Sequence, residues 1–482
     1  MLDIRPVGYV IGSLVALLGL TMLVPMLTDL ALGDQNGWAF FEASVMTLAA
    51  GVFVMLACAN SLGRGLNIRQ AFVLTVGTWF ALSAFGALPF IIGAPDLGVT
   101  DALFESVSGI TTTGSTVITG LDTLPVGINL WRGMLNWLGG LGIAFVAMIF
   151  LPVMRVGGMQ FFRTEGFDTL GKVLPRATDI ARALLGVYVA LTGLCISTYL
   201  LLGMSVLDAV VNGFATIATG GFSPADTSFG KYPGAAEYAG AMFMLLGSLP
   251  YIRFVQMVNG NPGAVWNDVQ VRALCRWVAY AVAVVVMWRL ATSDQAFEPV
   301  LREALFNVTS IFTGTGFFSG SFGSWGSFGM VVAFSAGMIG GCSGSSSGAL
   351  SVFRVQVLFA AIAAQIRHIH APHRVFPVRY DGRRVEVDVM NALILYVTGY
   401  VLVIGVLSVC LTFTGVDAES AIFGIWTSIG NIGYGMGPLV APTGTFVDFP
   451  TAAKWLMILA MLMGRLALLA VFVLVLPRFW RG

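Results

Sequence analysis

Four 14-residue segments of this chain superimpose without a gap: DALFESVSGITTTG ending at Gly114, DAVVNGFATIATGG ending at Gly221, EALFNVTSIFTGTG ending at Gly316 and SAIFGIWTSIGNIG ending at Gly433. Asp101, Asp208, Glu303 and Ser420 open them, Ala102, Ala209, Ala304 and Ala421 follow, and a glycine closes each. Recurrence at a spacing of roughly 100 residues, gapless inside the motif, requires four equivalent structural units. Any fold for the chain must place those units in equivalent surroundings.

The surroundings are apolar. Of 482 residues, 57% are hydrophobic and 10% charged, against roughly 25% charge in soluble domains. Ten long apolar segments recur: Val7 to Leu27, Trp38 to Ala59, Ala71 to Ile92, Met134 to Val153, Leu184 to Leu202, Tyr238 to Ile252, Ala273 to Trp288, Phe328 to Ile366, Met390 to Phe413 and Ala452 to Leu476. A bilayer needs about 20 apolar residues per helical span, so the chain reads as a multi-pass, all-α membrane protein. The first run has no small-residue cleavage site and reads as a retained span. Cys58, Cys195, Cys275, Cys342 and Cys410 lie in or beside apolar stretches without metal-type spacing, which argues against disulfides and zinc. The net charge of +1 points to no nucleic acid.

Charge alternates between successive connections. Arg64 and Arg69, then Arg155, Arg163, Lys172, Arg176 and Arg182, then Arg253, Arg272 and Arg276, then Arg354, Arg367, Arg374, Arg379, Arg383 and Arg384 fall on one side. By the positive-inside rule that side is cytoplasmic, and both termini face it. The four motifs lie in the opposite connections, and their apolar stretches are too short to cross a membrane. Each therefore reads as a re-entrant helix of about three turns, opened at its Asp, Glu or Ser and entering from outside. Their carboxyl ends aim partial negative charge at a common axis. The small residues that follow, Thr111 to Gly114, Ala218 to Gly221, Thr313 to Gly316 and Gly430 to Gly433, let the backbone turn carbonyls inward to replace the water of a monovalent cation.

At these residues the sequence resembles the Trk/Ktr/HKT superfamily of potassium transporters, closest to the TrkH-type membrane subunit of bacterial Trk systems. The likeness extends through WLGGLGIAFVAMIFLPVMRVGGMQFFR (Trp137 to Arg163), IGGCSGSSSGALSVFR (Ile339 to Arg354) and MLMGRLALL (Met461 to Leu469). It implies four helix, pore-helix, helix repeats around one pore, at 67–165, 166–268, 269–380 and 381–482, after two extra N-terminal spans in 1–66. It implies transported potassium held by backbone carbonyls of Thr112, Thr113 and Gly114, of Thr219, Gly220 and Gly221, of Gly314, Thr315 and Gly316, and of Asn431, Ile432 and Gly433. It further implies uptake across the bacterial inner membrane by a homodimer, each protomer with its own pore, on a cytosolic nucleotide-binding ring of the TrkA type. The chain departs from the family pattern at Ser351, where a lysine is common, and at Ala467, where a glutamate follows Gly-Arg-Leu.

The run Gly340, Gly341, Cys342, Ser343, Gly344, Ser345, Ser346, Ser347, Gly348 interrupts the eighth apolar segment. Nine small residues in succession exceed a packing motif, so the helix is expected to break into a movable loop beneath the filter, a gate. Arg465 sits mid-span, where a charge is functional by default, and is expected to face the pore and the loop's carbonyls. Arg132 and Arg289, near span ends, read as interface anchors. His368, His370 and His373 lie among arginines with no carboxylate or cysteine partner, a pattern that suits a contact surface better than a metal. A sodium- or proton-coupled carrier with alternating access is the alternative, but it favours inverted repeats and carboxylates in broken spans. An enzyme is disfavoured: the spans hold no HExxH, paired aspartates or nucleophile with a base.

Overall fold

The computed structural model describes residues 3–61, 67–145, 177–466 and 468–481, and these are predominantly helical. Among them, seven helices are long and apolar enough to cross a membrane: Arg5–Ala31, Asn36–Ala57, Arg69–Ile92, Ala181–Leu201, Val269–Thr292, Val352–His370 and Val387–Thr412. The first is offset at Met22 into Arg5–Thr21 and Leu23–Ala31. It packs along Asn36–Ala57 with backbones nearly touching, because a Cβ at Gly12 would come within 2.8 Å of the Gly51 carbonyl oxygen and of the Met55 amide nitrogen. In lipid, where apolar surface gains little by leaving the solvent, such small-residue contact is what binds helices.

Three of the ten apolar segments are broken within their length. Gly326–Ile339 and Val352–His370 flank the Gly/Ser run, as the sequence leads one to expect. Tyr238 to Ile252 and Ala452 to Leu476, read from sequence as continuous, are broken as well. Ala235–Gly247 and Tyr251–Val258 meet at 89°. Pro250 lacks an amide hydrogen and disfavours helical backbone at Leu249, which accounts for that turn. Thr451–Arg465 gives way to Leu469–Val475, with no proline to mark the place.

The four motifs fold as short helices: Val99–Ile110, Val206–Ile217, Phe297–Thr313 and Ala418–Gly430. Each starts earlier than its opening residue suggests. The N-caps are Gly98, Ser205, Ala296 and Asp417, and Ser205 and Asp417 accept from the amides of Asp208 (3.1 Å) and Ser420 (2.9 Å). The residues read as caps thus stand inside the helices, Asp101 and Asp208 in the first turn, where an acidic side chain suits the helix dipole, and Glu303 a turn deeper.

Two apolar cores flank the centre. One joins the N-terminal helices to the first and fourth short helices through Phe40, Trp131, Phe104 and Phe446. The other joins the second and third through Tyr199, Phe229, Phe306 and Phe317. A small third cluster, Phe353 against Tyr380, seats a hairpin of Arg379–Tyr380 and Arg383–Arg384.

Candidate functional site

Each short helix ends in the same turn. The amides of Thr112, Thr219, Gly314 and Asn431 donate to the carbonyls of Gly109, Thr216, Ile311 and Ser428 at 3.0 to 3.2 Å. The next amides, of Thr113, Gly220, Thr315 and Ile432, reach back to Ser108, Ala215, Ser310 and Thr427 at 2.7 to 3.0 Å. This paired pattern is the Schellman cap, which requires a left-handed residue after the helix. That residue has φ of +52° at Thr112, +49° at Thr219, +71° at Gly314 and +50° at Asn431. A left-handed β-branched threonine is uncommon and costs of order 1–3 kcal/mol. Two residues on, Gly114, Gly221, Gly316 and Gly433 are again left-handed, at +85°, +73°, +83° and +92°.

The closing glycines interlock. A Cβ at Gly114 would strike the carbonyl oxygen of Gly220, one at Gly221 that of Thr315, one at Gly316 that of Ile432, and one at Gly433 that of Thr113. The contacts run from first unit to second, third, fourth and back to first, which closes a ring. All four glycines line one cavity, together with Arg132, Phe222, Phe318 and Tyr434. The quadrants are unequal: Thr111 and Thr113 share a hydroxyl bond of 2.7 Å, Thr313 and Thr315 one of 2.8 Å, whereas the second and fourth units have Ala218, Gly220, Gly430 and Ile432 at those places.

Polar side chains behind the ring fix its outer turns. Glu105 is fully buried and accepts from the Val117 amide and the Thr116 hydroxyl at 3.0 Å. Arg132, 1% exposed, bonds Glu105 at 2.8 Å, donates to the Ser223 carbonyl at 2.8 Å and lies over the Phe222 ring. In the third unit Asn307 holds both the carbonyl and the amide of Ser319, at 2.9 and 3.0 Å. The opening residues are tied too: Asp101 to Lys454 (2.7 Å), Glu303 to Arg289 (2.8 Å), Asp208 to Tyr232, and Ser420 to the Leu439 amide (3.2 Å). Arg132 and Arg289 are therefore buried braces, not interface anchors. Each has a carboxylate that offsets part of the cost of its burial, a partner that spacing along the chain does not disclose.

The loop 340–348 lies against the inner ends of the short helices. Ser347 donates to the Thr313 carbonyl at 2.6 Å, the Ser346 hydroxyl stands 3.1 Å from the Ile217 carbonyl, and a Cβ at Gly348 would strike the Gly430 carbonyl. Arg465 donates to Thr112 Oγ1 at 2.6 Å and to the Ser346 carbonyl. Gly340 and Gly344 are left-handed, Gly341 packs on Ser347, the Cys342 amide bonds the Ser248 carbonyl at 3.0 Å, and Ser345 bonds back to Cys342 at 2.7 Å. Ser351, also left-handed, accepts from Ser343 at 2.9 Å.

At the end of Val352–His370 and in the segment that follows it, Arg367, His368, His370, His373, Arg374, Arg379, Arg383 and Arg384 are all exposed. Arg354, which the charge pattern groups with them, is instead buried, donates to the Leu350 carbonyl at 2.7 Å and stacks on Tyr396. Arg64, Arg155, Arg163, Lys172, Arg176 and Ala467 lie outside the described residues. Tyr251, at the start of the second half of the bent pair, reaches Ser346 Oγ at 3.2 Å and is not among the residues singled out from the motifs. The Ser-Leu-Pro at 248–250 could have flagged the break.

A sequence profile of TrkH, described as a cation transport protein, matches residues 36–481. The chain is 37% identical to the Trk system potassium uptake protein TrkI of Halomonas elongata, covering 99% of this chain and 97% of that one. It is 34% identical to the TrkH protein of Escherichia coli over 99% of each. The crystal structure of the potassium transporter TrkH from Vibrio parahaemolyticus superimposes with a TM-score of 0.92 at 32% identity, over the full length of both chains. With sequence profile, relatives and fold in agreement over nearly the full length, the chain belongs to the TrkH family.

Proposed function

We propose that the chain takes up potassium across the bacterial inner membrane through a filter formed by the four closing turns. The observation that carries this reading is the closed ring, in which each glycine faces a carbonyl of the next unit. The alternation of left-handed residues at the ring turns successive carbonyls toward one axis, where they substitute for the hydration shell of a monovalent cation. The ions are held by the carbonyls of residues 112–114, 219–221, 314–316 and 431–433, and the ends of four short helices add negative potential. No cofactor takes part. The relatives' description as Trk potassium uptake proteins supports potassium as the transported ion.

In the same reading the four repeats span 67–165, 166–268, 269–380 and 381–482, and the two helices within 1–66 are an addition outside the pore. The Gly340 to Gly348 loop closes the path beneath the ring, held by Arg465, and moves when a cytosolic nucleotide-binding ring of the TrkA type acts on the cytoplasmic loops. Two protomers pair, each with its own pore. Flux in a potassium-uptake-deficient strain, with sodium and rubidium as competitors, tests the function. Conductive uptake that follows voltage supports the pore; strict stoichiometry with a co-ion would instead establish a coupled carrier.

A further inference from the structure

A helix interrupted at membrane depth leaves carbonyls at the end of its first half and amides at the start of its second without partners. In the second repeat the interruption falls between Ala235–Gly247 and Tyr251–Val258, and the groups at risk are the Gly247 and Ser248 carbonyls and the Tyr251 amide. The Gly/Ser loop of the third repeat meets all three. The Cys342 amide donates to Ser248 at 3.0 Å, the Tyr251 amide donates to the Gly344 carbonyl at 3.1 Å, and the Ser346 hydroxyl stands 3.1 Å from the Gly247 carbonyl. The Tyr251 hydroxyl and Thr219 Oγ1 each lie 3.2 Å from Ser346 Oγ, and the Tyr251 hydroxyl also stands 3.1 Å from the Ile217 carbonyl at the end of the second short helix. Tyr251 is 1% exposed and packs edge-on to Tyr188. By comparison, Arg465 of the fourth repeat holds the loop at the Ser346 carbonyl, and Thr313 of the third at Ser347.

We infer that the break in the second repeat is the latch of the loop, with Tyr251 as its positioning residue. This rests on reading the loop as the gate. When the loop withdraws, the carbonyls and amide of the break lose their partners together, so the broken helix and the loop stabilise one another only in the closed state. Tyr251–Val258 also links the latch to the cytoplasmic side: Arg253, two residues further on, bonds Asp268 at 2.7 Å, and Asp268 caps the outer helix of the third repeat. A displacement of this short helix would release the loop without touching the ring.

Tyr251→Phe removes the hydroxyl and keeps the ring. Purified full-length protein in liposomes, assayed without its cytosolic partner, is expected to show roughly three- to tenfold higher conductive potassium flux than wild type, the shift that one net hydrogen bond produces. Potassium-over-sodium discrimination should stay unchanged, and adding Tyr251→Phe to Ser346→Ala should raise flux by less than Tyr251→Phe raises it alone, since the two residues share one bond while the Tyr251 hydroxyl has a second at the Ile217 carbonyl. Pro250→Ala, which lets the two halves align and draws the Gly247 and Ser248 carbonyls away, carries the same expectation should Tyr251→Phe fail to fold. Wild-type or lower flux in Tyr251→Phe, where a loop-shortened variant is raised, overturns the latch and leaves the gate standing. Unraised flux in the loop-shortened variant overturns the gate itself. Raised flux with lost discrimination would mean that the filter is distorted through Ile217, and would also overturn the latch.

Discussion

Replacing Arg132 with alanine should destabilise the protein more than any exposed charge substitution. The guanidinium is 1% exposed, its partner Glu105 is fully buried, and Nε stands 2.8 Å from the carboxylate. Removing one member leaves the other charge buried without its partner, a change worth about 3–5 kcal/mol. Glu105 would keep the Val117 amide and Thr116 hydroxyl, and the Ser223 carbonyl would lose its donor. The contrast is Lys231 with Asp122, 40% and 46% exposed at 3.5 Å. Such a pair contributes about 0–1 kcal/mol, so Asp122→Asn, which leaves Lys231 its other partner Asp208 at 3.4 Å, should barely register. Thermal unfolding in one detergent, read by fluorescence-detected size exclusion, ranks the variants. Glu105→Leu with Arg132→Met, which removes both charges, should recover part of the loss. If Arg132→Ala melts with Asp122→Asn, the buried pair is not the brace that its geometry describes.

Other substitutions separate the parts of the pathway. Arg465→Ala deletes the bonds to Thr112 and Ser346 and should raise partner-free flux severalfold while ion preference holds; unchanged flux in reconstituted protein would refute its role in closure. Neutralising Arg367, Arg374, Arg379, Arg383 and Arg384 together, all exposed, should abolish co-purification of the cytosolic ring, and intact binding would remove that surface from the contact. Gly12→Leu should weaken the seating of the first helix by several kcal/mol, because the Gly51 carbonyl cannot yield to a side chain; an unchanged melting profile would show that the two helices can separate without loss.

The spans and the four motifs were legible because each rests on a local pattern: an apolar run, or a fixed order of small residues ending in glycine. The break at Gly340 was legible for the same reason, as nine small residues cannot sustain a helix in lipid. What stayed hidden depends on partners distant in sequence. Glu105 and Arg132 pair across 27 positions, Asp101 and Lys454 across 353, and no single-chain periodicity joins them. Arg354 looked like one more cytoplasmic charge, yet it folds back onto Tyr396 and the Leu350 carbonyl. The left-handed backbone at Thr112, Thr219 and Asn431 was also hidden, since threonine does not advertise that conformation as glycine does. The second break was masked by hydropathy, which registers apolar content and overlooks one proline.

Ion discrimination of the ring variants tests the central claim most directly. In a strain lacking other potassium uptake, Gly114→Ser, Gly221→Ser, Gly316→Ser and Gly433→Ser should each weaken potassium-over-sodium preference or abolish uptake. A side chain at any of the four meets a carbonyl of the next repeat and is strained at positive φ. Wild-type discrimination in all four would contradict the account, because the interlocked glycines would then not be the filter.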